Sequence, residues 1–278
     1  MFKRKINDFN LKNTFMNGQC FRFDPYKKGY LGIAKGKVIY LEDLGGTFLI
    51  DGVTEKEFDE IFVPYFDLNR DYEKIARNFQ KEENLEKAIE YGKGMKILKQ
   101  DLWETLISFI ISQNNNITRI KNIIARLSMK YGTPVEYDNT IFYLFPTAQQ
   151  LKDVKKEDYM LLGCGYRADY LEATVKEWLI NEPDFSNLSY NEAREKLLSF
   201  KGVGSKVANC ILLFGLNYLN AFPVDTWIKK VMESLYLKRS ATNVEIENFA
   251  KEAFKDYAGI AQQYLFYYGR ENKIKGIE

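Results

Sequence analysis

Histidine is absent from this 278-residue chain, and cysteine is scarce. Without an imidazole, the chain cannot form Ser–His or Cys–His nucleophile pairs, histidine general bases or histidine-ligated metal sites. The three cysteines, Cys20, Cys164 and Cys210, are widely spaced and odd in number, which indicates free thiols in a reducing compartment. They are also too few to hold a structural zinc or an iron–sulfur cluster. Any catalysis must therefore come from Lys, Asp, Glu, Tyr or a single Cys.

Long apolar segments are missing as well. No stretch is long and apolar enough to span a membrane, and the first ten residues, MFKRKINDFN, lack the apolar core of a signal peptide. The remaining composition, with 15% aromatic and 28% charged residues, is typical of a globular protein. We expect a cytoplasmic protein that has no membrane partner, and we expect it to be monomeric.

The charge is nearly balanced overall but unevenly distributed. Forty basic residues face 38 acidic ones, for a net charge of +2. Residues 51–60 are acidic, whereas residues 114–130 carry four basic side chains and no acidic one. Basic segments beside loops could form a phosphate-binding face. Ordinary solvated helix faces explain the same charges equally well.

The residue pattern changes from strand-like to helical within the first hundred residues. The runs CFRFD, GYLGIA, KVIYLE and TFLI, separated by turn signals, predict an antiparallel meander within residues 1–50. A capping-box spacing from Thr54 to Glu57 then opens a helical pattern, and no strand is predicted after about residue 95. We expect an α+β protein: an N-terminal antiparallel β-sheet unit with helices over residues 1–95, then an all-helical unit over residues 96–278.

A glycine turn precedes an apolar helix in the stretch FKGVGSKVANC. Gly202 and Gly204 permit a tight turn, and Ser205 is a typical N-cap. Lys206 then lies in the first helical turn, where the helix dipole disfavours a cation. This is an unusual position for a surface lysine, although a solvated side chain is the simpler explanation when Lys206 is taken alone.

The loop after this helix is long enough to bring a carboxylate, that of Asp225, close to Lys206. The helix after the turn would be about 18 Å long, and the seven residues NYLNAFP reach about 23 Å when extended. Asp225 can therefore lie near Lys206, while it also reads as a plain N-cap of the next helix, where it stays ionised.

The two side chains together favour a particular reaction. A partly buried lysine can lose its proton and form a Schiff base, and a nearby carboxylate can stabilise a cationic, sugar-like transition state. The backbone N–H groups of the turn, Gly202–Val203–Gly204, can hold a phosphate. This combination fits cleavage of an N-glycosidic bond in nucleic acid.

The segment LLSFKGVGSKVANCILLFGLNYLNAFPVDTWI closely resembles the signature of the helix-hairpin-helix (HhH-GPD) superfamily of base-excision DNA glycosylases, with the hairpin at about 197–216. Within it, the chain looks most like the 8-oxoguanine DNA glycosylase/AP lyase family (OGG type). Four further blocks in family order support this resemblance: NGQCFRF, LKQDLWETLISFIISQNNNITRI, GCGYRADY and AGIAQQYLFYYGRE. A hairpin alone also occurs in non-catalytic DNA-binding modules.

The resemblance implies a bifunctional enzyme of base excision repair. Lys206 would attack C1′ of the damaged nucleotide, and Asp225 would support the developing charge. The resulting imine would allow strand cleavage by β-elimination.

The resemblance also implies a pocket for the damaged base. The backbone carbonyl of Gly18 would accept the N7–H that 8-oxoguanine has and guanine lacks, Cys210 and Phe266 would sandwich the base, and Gln262 would meet its Watson–Crick edge. Without the resemblance, Gly18 is a strand-entry turn, and Cys210 and Phe266 are core residues.

Four more residues match family positions that contact the DNA duplex around the extruded base. Asn114 would fill the gap left by the extruded base, Arg119 and Arg167 would read the orphan cytosine, and Tyr166 would form an aromatic wedge. Asn114 could otherwise belong to a helix-capping loop, and Arg119 could be an ordinary exposed charge.

The chain also departs from the family pattern. Trp227 stands where eukaryotic relatives have a histidine, and Asp169 stands where a basic residue would be unsurprising. We expect a prokaryotic member that requires no cofactor and holds no iron–sulfur cluster or side-chain metal site, although the hairpin carbonyls could bind a cation.

Two other functions would also use a hairpin of this kind. An alkylated-base glycosylase of the same superfamily typically lacks the lysine, so Lys206 argues against it. A non-catalytic hairpin module that only binds DNA would not need both Lys206 and Asp225.

Overall fold

A five-stranded antiparallel sheet forms the N-terminal unit. The computed structural model describes residues 1–79 and 82–277. The strand order is β1-β5-β4-β3-β2, so the predicted meander is confirmed for β2 to β5, and β1 joins as an additional edge strand beside β5. The strands are β1 (Phe2–Lys5), β2 (Phe23–Tyr26), β3 (Gly29–Ala34), β4 (Lys37–Asp43) and β5 (Thr47–Asp51).

Helices dominate the rest of the described chain, which confirms the predicted α+β arrangement. The predicted capping box between Thr54 and Glu57 is present at the start of α2. In chain order the α-helices are α1 (Leu11–Phe15), α2 (Glu55–Glu57), α3 (Val63–Tyr65), α4 (Tyr72–Arg77), α5 (Glu83–Tyr91), α6 (Leu102–Ser112), α7 (Ile117–Tyr131), α8 (Lys156–Leu161), α9 (Arg167–Asn181), α10 (Tyr190–Leu198), α11 (Ser205–Phe214), α12 (Thr226–Val231), α13 (Asn243–Phe254) and α14 (Ala258–Glu271). Short π-helical segments (Phe58–Phe62, Met232–Leu237) and 3₁₀ turns (Gln149–Leu151, Lys255–Tyr257) join some of them.

A β-hairpin interrupts the helical unit, so the prediction of no strand after residue 95 is wrong. Strands β6 (Pro134–Tyr137) and β7 (Thr140–Tyr143) are joined by Asp138 and Asn139, which both have positive φ. That turn geometry suits a two-residue hairpin, but each strand has only four residues. Tyr137 donates to Asp51 over 2.9 Å, so contacts with the distant N-terminal sheet help to stabilise this hairpin.

The buried side chains form two clusters. One lies within the N-terminal sheet and is rich in phenylalanine, including Phe15, Phe23 and Phe48. The other fills the helical unit and also takes in side chains from α4 and α5, which precede residue 95. The domain division at residue 95 stays a prediction.

The buried amide of Gln19 joins the two units. Its Nε2 donates to the carbonyls of Thr14 and Lys96 over 2.9 and 2.8 Å, and its Oε1 accepts from the N–H of Leu98 over 2.9 Å. The backbone carbonyl of Gln19 accepts from Nε2 of Gln100 over 2.7 Å. The loop between α1 and β2 is thereby fixed onto the segment that leads into α6.

We expect the Gln19→Leu substitution to lower the free energy of unfolding by about 3 kcal/mol, because it leaves one buried N–H and two buried carbonyls without their partner. Urea unfolding followed by circular dichroism measures this loss. Gln149→Leu, at an exposed position, is the matched control and should change the free energy by less than about 0.5 kcal/mol. Equal effects of the two substitutions would contradict the structural role of Gln19.

Candidate active site

Lys206 occupies the second position of α11, as predicted. The N-cap is Gly204 and not Ser205; the hydroxyl of Ser205 instead donates to Glu247 and accepts from Arg194, each over 2.9 Å. Gly202 has φ +84°, and a Cβ there would lie 2.4 Å from the side chain of Tyr170. The turn before Lys206 therefore requires glycine at this position.

The ammonium group of Lys206 lies in a partly apolar environment. Its Nζ is 3.5 Å from Oγ of Ser112 and 5.3 Å from the ring centroid of Phe109. Both neighbours belong to α6, so the lysine bridges the starting turn of one helix and the last turns of another.

Asp225 caps α12 and lines the same cleft as Lys206. Its Oδ1 accepts from the N–H of Ile228 over 2.8 Å. Burial raises the pKa of the Asp225 carboxyl above its ordinary value, and this effect outweighs the Ile228 N–H and the Lys206 charge, which both lower the pKa. The structure thus brings the two predicted catalytic residues within electrostatic reach of each other.

The cysteines do not offer an alternative nucleophile. Burial raises the pKa of Cys210 to about 11, although the Lys206 charge opposes this. Burial likewise raises the pKa of Cys20 to about 12 and that of Cys164 to about 11. All three thiols therefore stay protonated near neutral pH, and the amine of Lys206 is the stronger candidate.

The cleft has a volume of about 1210 Å³ and contains about half of the predicted site residues. Those that line it are Gly18, Asn114, Tyr166, Gly204, Lys206, Asp225 and Phe266. Those that do not line it are Arg119, Arg167, Gly202, Val203, Cys210 and Gln262.

One wall of the cleft is formed by Gly18 and two bulky side chains beside it, Phe266 and Arg270. It has φ +92°, and a Cβ on it would lie 3.2 Å from both Cε1 of Phe266 and Nη1 of Arg270. Gln262 is buried one helical turn before Phe266 on α14. Its Nε2 donates to the carbonyl of Pro223 over 3.1 Å, whereas its Oε1 has no partner among the described residues. The buried Oε1 of Gln262 is therefore free to accept a hydrogen bond from a ligand.

Arg167 supports the loop that presents Asn114. Its guanidinium is buried and donates to the carbonyls of Gln113, Asn114 and Cys164, over 2.7, 2.8 and 3.1 Å. Asn114 itself is exposed with a left-handed backbone, φ +46°. These bonds use Nε, Nη2 and one N–H of Nη1, so at most one of the five N–H groups is left for a direct contact with a base.

The other two predicted duplex contacts are exposed. Tyr166 is 53% exposed, and its ring packs against the Arg167 guanidinium, 4.5 Å away. Arg119 donates from Nη2 to the carbonyl of Gly163 over 3.2 Å. Arg119 lies outside the cleft proper but beside the turn that carries Tyr166.

Family comparisons agree with this geometry. Residues 1–106 match the N-terminal domain of 8-oxoguanine DNA glycosylase, and residues 107–256 match the HhH-GPD superfamily of base excision DNA repair proteins. The chain belongs to the 8-oxoguanine DNA glycosylase family of that superfamily. The predicted resemblance is thereby confirmed.

Individual members of the 8-oxoguanine DNA glycosylase family are similar over most of the chain. A Methanothermobacter thermautotrophicus protein named "Probable N-glycosylase/DNA lyase" is 30% identical over 80% of this chain and 78% of its own length. MBOgg1, solved in complex with a low affinity DNA ligand, is 43% identical with a TM-score of 0.94, covering 98% of this chain and 96% of that one. The Clostridium acetobutylicum 8-oxoguanine glycosylase/lyase, solved with double-stranded DNA containing cytosine opposite 8-oxoG, is 40% identical with a TM-score of 0.94, covering 99% of each chain.

The two departures from the 8-oxoguanine DNA glycosylase pattern have structural partners. Trp227 lines the cleft, and Nζ of Lys230 lies 4.9 Å from its ring centroid. Asp169 pairs with Lys201 of the hairpin over 2.7 Å. The acidic residue therefore partly neutralises one hairpin lysine.

Sequence reasoning missed Arg270, which also lines the cleft. The residue lies within the block AGIAQQYLFYYGRE that supported the resemblance. Its position one helical turn after Phe266, on a largely buried helix, was the available signal.

The described residues contain no group of three or more His, Cys, Asp or Glu side chains that could hold a metal ion. Within the same ranges, no helix is long and apolar enough to cross a membrane.

We expect Asp225→Asn to raise the Tm at pH 7 by a few degrees. The folded state raises the pKa of Asp225, so it binds that proton more tightly than the unfolded state and loses stability as pH rises through the raised pKa. Asparagine keeps the helix cap without the buried charge. Thermal unfolding from pH 3 to pH 8 should show the gain shrink at acid pH.

Asp71→Asn is the matched control, because Asp71 caps α4 with the same hydrogen bond, 2.8 Å to the N–H of Lys74, at an exposed position. An equal gain in Asp71→Asn, or a gain in Asp225→Asn that is as large at pH 3 as at pH 7, would contradict this explanation.

Proposed function

We propose that this chain is a bifunctional DNA glycosylase and AP lyase that excises 8-oxoguanine paired with cytosine in double-stranded DNA. The observation that carries the proposal is the joint placement of Lys206 and Asp225 in one cleft, directly after the glycine hairpin. The printed activities of its relatives support the same function.

The reaction begins at the amine of Lys206. In its neutral form the amine attacks C1′, the N-glycosidic bond breaks, and the bonding electrons leave with the base. The Asp225 carboxylate stabilises the positive charge that develops on the sugar. The C1′–O4′ bond of the sugar then opens, which leaves Lys206 joined to C1′ as an imine. Loss of a proton from C2′ breaks the C3′–O bond to the 3′ phosphate by β-elimination.

The wall around Gly18 supports the recognition of the base. The Gly18 carbonyl accepts the N7–H of 8-oxoguanine, and Phe266 covers one face of the base. Cys210 and Gln262 are buried and do not line the cleft, so the base must penetrate beyond the lining residues to reach them. The unpaired Oε1 of Gln262 supports this placement, because the Watson–Crick edge of guanine offers N–H donors.

The contacts with the duplex come from the loop after α6 and from the first turns of α7 and α9. Asn114 enters the gap left by the base, Tyr166 wedges beside it, and Arg119 and Arg167 face the orphan cytosine. The backbone of Gly202, Val203 and Gly204 holds a phosphate. The exposed side chains of Asn114, Tyr166 and Arg119 support this assignment.

We further propose that the protein acts as a monomer in a prokaryotic cytoplasm and requires no cofactor. A cation on the hairpin carbonyls stays a prediction from the resemblance.

Borohydride trapping tests the function. We expect the protein to form a covalent adduct with a labelled duplex that carries one 8-oxoguanine opposite cytosine, because borohydride reduces the imine. Lys206→Gln should abolish the adduct and lower excision at least about 100-fold. Lys251→Gln, which changes an exposed lysine of α13, is the control and should react like the unchanged protein.

Base release without an adduct would instead indicate a glycosylase that uses water. Binding with neither release nor adduct would leave the hairpin as a phosphate-binding element and refute the proposal.

Arg119→Met tests the reading of the orphan base. Because a guanidinium can satisfy the acceptors of cytosine but not the donor of adenine, we expect the preference for excision opposite cytosine over adenine to fall about tenfold. Single-turnover assays on the two duplexes measure this ratio, and Arg77→Met, an exposed arginine of α4, is the control. An unchanged ratio with slower excision on both duplexes would assign Arg119 to the DNA backbone.

A further inference from the structure

Arg270 closes the cleft beside Gly18. From the end of α14, its Nη2 donates to the carbonyl of Met16 over 2.8 Å, and its Nε donates to Glu271 over 2.9 Å. Its guanidinium carbon lies 5.4 Å from the ring centroid of Phe266. These contacts hold the arginine against both the loop of Gly18 and the aromatic ring of the cleft.

One nitrogen of the same guanidinium, Nη1, makes no hydrogen bond to the described residues. Nη1 is buried and has no hydrogen-bond partner among residues 1–79 and 82–277. It lies 3.2 Å from the position of a Cβ on Gly18, and both residues line the cleft. Because buried guanidinium N–H groups are nearly always paired, this donor indicates an acceptor that arrives with the ligand.

The C8 oxygen of 8-oxoguanine is an acceptor that matches the position of this Arg270 donor. In 8-oxoguanine, N7–H and the C8 oxygen are separated by one carbon on the same edge of the five-membered ring. A base whose N7–H reaches the Gly18 carbonyl therefore brings the C8 oxygen next to the same stretch of main chain. Guanine has a C–H group there, so it would leave the Arg270 donor unpaired.

We propose that Arg270 is a specificity-determining residue whose Nη1 donates a hydrogen bond to the C8 oxygen of the extruded base. This inference rests on the proposed function, since it assumes that the base is held by the Gly18 carbonyl. It assigns the two atoms that distinguish the lesion from guanine to two separate groups, one acceptor and one donor.

The charge of Arg270 also favours departure of the base. When the N-glycosidic bond breaks, its electron pair goes to the base, and the C8 oxygen shares the resulting negative charge. A cation beside that oxygen stabilises the charge as it develops. Arg270 therefore affects the chemical step in addition to binding.

The test replaces the oxygen and the arginine separately. One duplex carries 8-oxoguanine and another carries 8-thioguanine, which keeps N7–H but offers sulfur, a poor acceptor. Single-turnover excision is measured with the unchanged protein, Arg270→Met and Arg270→Lys. We expect the oxo-to-thio ratio of the rate constants to fall about tenfold in Arg270→Met, as in a double-mutant cycle.

If Arg270→Met does not fold, as judged by its Tm, Arg270→Lys replaces it in the same assay. Lysine keeps a donor for the Met16 carbonyl but has only one nitrogen, so the ratio should fall there as well. Arg239→Met removes an exposed arginine that pairs with Glu245 over 2.8 Å, and it should leave the ratio unchanged.

Two results would overturn the inference. An equal loss on both bases would make Arg270 only a clamp for the Met16 carbonyl. Equally weaker binding of damaged and undamaged duplexes, with a shallower salt dependence, would make it a phosphate contact. Failure of the proposed function is distinct from these, because the unchanged protein would then excise neither base.

Discussion

The buried amide of Gln19 is the interaction on which the cleft depends. It joins the loop that carries Gly18 to the segment that leads into α6, through the carbonyl of Lys96 and the N–H of Leu98. Gly18 comes from the N-terminal unit, whereas Lys206 and Asp225 come from the helical unit. The pairing of Gln19 therefore helps to fix the distance between Gly18 and the two predicted catalytic residues, together with the bond from Arg270 to the carbonyl of Met16.

The active site is assembled at a cost in stability. The Asp225 carboxyl is buried where its charged form is disfavoured, and Oε1 of Gln262 and Nη1 of Arg270 are buried without partners among the described residues. Other buried polar atoms without partners, such as Oη of Tyr159, lie elsewhere in the described chain, but a site completed by its ligand is expected to leave such atoms unpaired until the ligand binds. A nucleotide can supply the missing charge, donors and acceptors together, so binding recovers part of what folding left unpaired.

Much of the architecture followed from local chemistry. The strands of the N-terminal meander, the capping box at Thr54 and the place of Lys206 in the first turn of α11 each depend on residues close in sequence. The hairpin of β6 and β7 did not follow, because its four-residue strands depend partly on contacts with the N-terminal sheet. The cap of α11 was also misplaced, since the Ser205 hydroxyl pairs with Glu247 and Arg194, which are distant in sequence.

By itself, the sequence determined the family, because five blocks of residues in family order resemble it. It also predicted Lys206 as the nucleophile and Asp225 as its partner, because the lack of histidine leaves few other chemistries. Only the tertiary structure decided which side chains share the cleft. It left Cys210 and Gln262 buried outside the cleft lining and used most donors of Arg167 for loop carbonyls. It also brought Arg270 against Gly18 across more than 250 residues of chain. Such contacts depend on how the two units pack, and no local pattern of residues records that packing.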